Sequence, residues 1–141
     1  NKDNTATATS ALGKTYPIGS EIMLFRSYTY FIRENPAGQP ALYRLDNNVA
    51  TTVAPVELVE GIENMQITYG IDTDANGSAN QYVVTPADWT QVTSVRVVLT
   101  ARSIEDNIAA TERVYNYNGA NNVRDRRLVR NFTTTIGLRN R

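Results

Sequence analysis

Residues 127–141 read RLVRNFTTTIGLRNR. Leu128, Arg130, Phe132, Thr134, Ile136 and Leu138 hold one parity of a two-residue repeat, and Val129, Asn131, Thr133, Thr135, Gly137 and Arg139 hold the other. This alternation predicts a β-strand with one buried face and one wet face. The strand also closes the sequence, so pairing into a sheet would tie down a terminus that otherwise frays.

The same period recurs upstream. In residues 64–71, Met65, Ile67, Tyr69 and Ile71 alternate with Asn64, Gln66, Thr68 and Gly70. In residues 92–102, Val95, Val97, Leu99 and Ala101 face one way. Residues 20–33, SEIMLFRSYTYFIR, are rich in aromatic and branched side chains and predict a strand covered in part on both sides. Asn35-Pro36-Ala37-Gly38 supplies a turn, and residues 41–45 predict its return strand. A second hairpin turns at Asn76-Gly77 and returns along residues 81–84. Residues 55–60 are read as one helical turn, with Pro55 first and Gly61 ending it. Residues 86–90 form a short bend around Trp89. Residues 103–127 are polar and poorly periodic, a loop with a short strand at 113–117. The expected fold is mainly β: five or six hairpin-connected strands, an antiparallel sheet open to water on one side, and little helix. Residues 1–19 form a polar, flexible leader, and residues 20–141 a single β-rich domain.

Composition excludes several functions. The 141 residues carry 14 basic and 14 acidic side chains, and this neutrality argues against broad nucleic-acid binding, which needs clustered cations. No cysteine is present, so disulfides and thiolate metal sites are ruled out. No histidine is present, which removes the commonest general base and transition-metal ligand. No catalytic constellation emerges from the remaining Ser, Lys, Asp and Glu, and the chain is read as a non-enzyme with no certain cofactor. Glu57, Glu60 and Glu63, spaced by three, are read as solvated. No apolar run is long enough to span a membrane. The first residue is Asn1 rather than Met, which suggests a piece of a longer protein.

Three features are candidates for function. Asp72, Asp74, Asn76 and Ser78 place oxygen side chains at alternate positions with Gly77 at the sixth, as in the first half of a calcium loop. The twelfth position is Val83, so the bidentate carboxylate is missing. A polar hairpin tip explains the same residues by turn geometry alone, and both readings stay open. Arg124, Arg126, Arg127 and Arg130 form a cluster able to meet a partner protein, or to sit in solvent. Eight tyrosines and Trp89 could stack on sugars or anchor partners, and tyrosine is equally at home in half-buried strands.

Residues 56–71, 88–102 and 125–141 together resemble the minor pilins of bacterial type IV pili of the PilW kind. The resemblance rests on EGIENMQITYG at 60–70 and FTTTIGLRNR at 132–141, with the Asp72 turn following the first. J-type pseudopilins of type II secretion are similar but match less closely at the C-terminus. The resemblance implies the C-terminal part of a globular pilin head whose apolar N-terminal helix, its only membrane anchor, lies outside this sequence. It implies a structural role: a tip complex that primes pilus assembly. The implied partners are other minor pilins, the major pilin and a tip adhesin, with no nucleic acid. The implied location is the inner membrane and periplasm before assembly and the pilus tip afterwards. Contacts are expected within residues 103–127 and along sheet edges left unpaired by missing strands. A calcium-stabilised adhesion module binding a glycan or surface ligand, and a type II secretion pseudopilin, are the alternatives.

Overall fold

The computed structural model describes residues 19–21, 24–48, 53–117 and 119–138. The expected leader, apart from Gly19, lies outside the described residues, as do Ile22, Met23 and Arg139 to Arg141. Among the described residues the fold is mainly β, 56% strand and 3% helical, and every strand pairing is antiparallel.

The described residues form nine strands in three sheets rather than one. The first sheet runs β1 (Tyr28–Glu34), β2 (Pro40–Asp46) and β3 (Val56–Glu60). The main sheet has the order β5 (Gln81–Val83), β4 (Ile62–Ile71), β6 (Val92–Arg102) and β9 (Val129–Gly137). β7 (Arg113–Tyr117) and β8 (Ala120–Asp125) pair only with each other.

Local chemistry explains most of these elements. The β1–β2 turn forms because Asn35 Oδ1 accepts the N–H groups of Ala37 and Gln39 at 3.1 and 2.9 Å. β6 spans the expected residues, and β4 runs to the expected end. Three expectations are corrected. β1 starts at Tyr28, not Ser20: beyond Ser27 the partner strand has already turned away through Asn47 and Asn48, which bond back to Ser27. Leu24 and Phe25, left without a partner strand, are 78% and 80% exposed. Residues 56–60 are strand, not helix, because β2 offers its second edge and β-branched Val56 and Val59 suit a pleated ladder. Residues 120–125, expected as loop, form β8: weakly periodic polar residues pair because β7 lies alongside.

Gly61 joins the two larger sheets. Its N–H donates to Pro40 O at 2.7 Å, and its carbonyl accepts from Arg102 N at 2.8 Å. Its φ is +81°, and a Cβ there would lie 2.7 Å from Arg102 O, so glycine is required. Around this stitch lies the core: Pro40, Ala41, Leu42, Tyr43 and Ile62 are buried.

Candidate docking surface

Register across the main sheet sorts its side chains into two faces. Met65, Leu99 and Phe132 form one row, Ile67, Val97 and Thr134 the next, and Tyr69, Val95 and Ile136 the third. The reverse face carries Asn64, Thr100 and Asn131, then Gln66, Val98 and Thr133, then Thr68, Arg96 and Thr135. One face is therefore apolar and the other polar. On the polar face Arg96 lies 3.5 Å from the Tyr82 ring centroid, and Thr100 Oγ1 donates to Asn131 Oδ1 at 2.9 Å.

The apolar face has no cover among the described residues. Its inner positions on β6 are half-buried by their sheet neighbours, but every residue of β9 is exposed. Phe132 is 55% and Ile136 53% exposed. The expectation of one buried face on β9 is corrected: the greasy stripe is there, but no element of the described chain packs on it. At its end Trp89, held by a 3-10 turn capped by Asp88, meets Tyr69 edge-on at 4.9 Å. With Val92 and Leu138 they line an apolar hollow of about 440 Å³.

A buried ion network fixes the other end of the sheet. The Arg113 guanidinium donates to both Glu63 oxygens at 2.7 and 2.9 Å and to both Asp125 oxygens at 2.6 and 3.0 Å. Tyr115 Oη donates to Asp125 at 2.6 Å, and Arg102 Nη1 donates to Tyr115 Oη at 3.3 Å. The Arg113 hydrogen bonds hold the Asp125 carboxyl down to about 2, outweighing the cost of burial. The Arg113 pKa is raised, first by its hydrogen bonds to Glu63. Burial and the hydrogen bond to Asp125 push the Tyr115 phenol up. Glu63 is thus not the solvated side chain expected; its carboxylate is 9% exposed and paired. Arg102 Nε is buried without a hydrogen-bond partner among the described residues.

The other expected site residues are placed as follows. Asp72 is buried, and its two oxygens accept the N–H groups of Asn76 at 3.1 Å and Gly77 at 2.7 Å. Burial raises its pKa, but these N–H donors win and hold it below the ordinary carboxylate value. Asp74 accepts from the Asn76 amide, and Asn76 Oδ1 accepts the Ser78 N–H. The loop's side chains therefore fold the loop itself. The four arginines do not converge. Arg127 turns inward to the Ser103 and Ile104 carbonyls and approaches Asp125, while Arg124 pairs with Glu112 on the surface. Arg126 donates to the Ala110 carbonyl, and Arg130 stands beside Ala101 across the β6–β9 ladder.

The family model for type IV pilus-assembly protein W, PilW, matches residues 29–140. The chain belongs to the PilW family. No curated protein and no solved structure matches it. Its family assigns it to type IV pilus assembly and hence to the cell envelope. No helix among the described residues is long and apolar enough to cross a membrane.

The hallmark residues of this PilW-family chain have architectural work. Gly61 stitches the sheets and Glu63 anchors Arg113. A Cβ on Gly70 would lie 2.3 Å from Ser94 Oγ and 2.7 Å from Ala79 Cβ, so only glycine lets the Asp72 loop close over the sheet. Sequence reasoning passes over Arg102, Arg113 and Asp125 because their partners lie far away along the chain. For Arg102 and Arg113 the available signal was charge inside strands rich in apolar or aromatic residues, while Asp125, in polar β8, offered none.

Proposed function

We propose that the chain is the globular head of a type IV pilus minor pilin that joins other minor pilins in a tip complex priming fibre assembly. Its work is docking, and no bond is made or broken. The observation that supports this reading is the PilW family match combined with an apolar sheet face that nothing in the described chain covers. A face of this kind is stable in water only when another element packs on it. The apolar N-terminal helix implied by the resemblance is the first such element, and neighbouring pilins contact the loops and edges around it. The test is a pull-down of the folded chain with separately purified minor pilins. Stable capture of at least one supports the reading, and capture of none overturns it.

The oxygen-rich tip carries a separate proposal, calcium as a stabilising ligand at Asp72, Asp74, Asn76 and Ser78. Asp74, Asn76 and Ser78 are exposed there. Added Ca²⁺ then raises the melting temperature, and chelator or Asp74→Ala abolishes the rise. A melting temperature indifferent to both ends the idea.

A further inference from the structure

The two hydrogen bonds that close the ends of the β6–β9 ladder fix which way β9 turns its backbone. Ser103 N–H donates to Leu128 O at 2.9 Å, and Leu138 N–H donates to Thr93 O at 2.8 Å. Antiparallel partners alternate, so the even-numbered residues of β9 bond β6. Val129, Asn131, Thr133, Thr135 and Gly137 direct their N–H and C=O groups the other way. No described strand lies on that side.

Among the described residues this edge has little of the usual protection. β5, at the opposite margin of the main sheet, is three residues long. β3 carries Glu57 and Glu60 and pairs through a bulge. β9 runs nine residues with no bulge, proline or lysine, and Arg130 is its one charge. A row of free N–H and C=O groups is satisfied best by one kind of ligand, an extended polypeptide backbone.

We propose that β9 pairs antiparallel with β9 of a second copy of this chain, across a two-fold axis at Thr133. In that register Thr133 meets Thr133, Asn131 meets Thr135 and Val129 meets Gly137. Every outward residue faces an outward residue, so the new ladder closes. On the apolar side Phe132 meets Thr134. Arg130 meets Ile136, so the two guanidinium groups do not oppose each other. The exposed Phe132 and Ile136 side chains of both copies then lie in one continuous apolar face. The contact is isologous, as a closed dimer requires. It is independent of the pilus reading, since it rests on the edge alone.

The experiment is sedimentation of the full chain from about 1 μM to 1 mM, with amide exchange read along β9. The expected result is a monomer–dimer equilibrium in which the Asn131, Thr133 and Thr135 amides slow as concentration rises. Thr133→Pro removes an outward N–H and leaves the β6 ladder intact. It weakens association by about tenfold or more at an unchanged melting temperature. Thr133→Lys sets like charges opposite each other on the two-fold axis and does the same without altering the backbone, should the proline variant not fold. A monomer at every concentration overturns the proposal. So does a dimer indifferent to both substitutions, or slow exchange of these amides already in the monomer.

Discussion

The junction between the first and main sheets and the outer strand β9 are both strand segments carrying apolar side chains, and they meet opposite fates. At the junction Pro40 to Tyr43, Gly61 and Ile62 are buried, and Glu63 is paired with Arg113. β9 alternates more cleanly than β2 does, yet all nine of its residues are exposed. The difference is in the neighbours. Among the described residues β2 has a strand on each edge and lies against the main sheet, while β9 has a strand on one edge and nothing on its apolar face. Periodicity reports which face is able to be buried, and burial itself is decided by the rest of the assembly.

The sharpest way to break this contrast is to strike the junction. Glu63→Ala leaves Arg102 without its carboxylate and Arg113 with Asp125 alone, and costs about 3 kcal/mol, read from urea unfolding. Gly61→Ala forces a side chain onto the Arg102 carbonyl at positive φ and costs about 2–3 kcal/mol by the same measurement.

Acid probes the junction without mutation. Asp125 is held near 2 in the folded chain, below its unfolded value, so its contribution is complete near neutral pH. It is lost as the pH falls from about 5 towards 2 and amounts to roughly 2 kcal/mol. Asp125→Asn is therefore less stable at neutral pH and flatter on acidification, seen by comparing unfolding at pH 7 and pH 3.

At β9 the expected effect is smallest. Phe132→Ser or Ile136→Ser changes the stability of the isolated chain by no more than about 0.5 kcal/mol, because either side chain is already exposed. The same substitutions reduce minor-pilin capture in the pull-down. A loss of 2 kcal/mol or more in the isolated chain would show that β9 is covered after all.

Much of the strand order was legible because alternation and turn chemistry are local. Met65 to Ile71, Val95 to Ala101 and the Asn35 and Asn76 turns reveal themselves within a few residues. The break into three sheets was not legible, since it turns on Gly61, whose requirement comes from Arg102 across the fold. The sequence of β3 also fits a helical turn bracketed by Pro55 and Gly61, and only the free edge of β2 decides between the two. The ion network is not legible in the sequence because Glu63 and Arg113 lie 50 residues apart. The Asp72 loop was found, but its chemistry reads two ways until the N–H groups of Asn76 and Gly77 are seen closing on it.

The β7–β8 hairpin is a two-stranded ribbon with no ladder to either larger sheet, held to β4 and β6 by charged and phenolic side chains. Ribbons of two strands are marginal by themselves, so this one is the first part of the molecule to open. Limited digestion should nick the ribbon and its flanks while the main sheet survives, and acidification towards pH 3 should speed the cut.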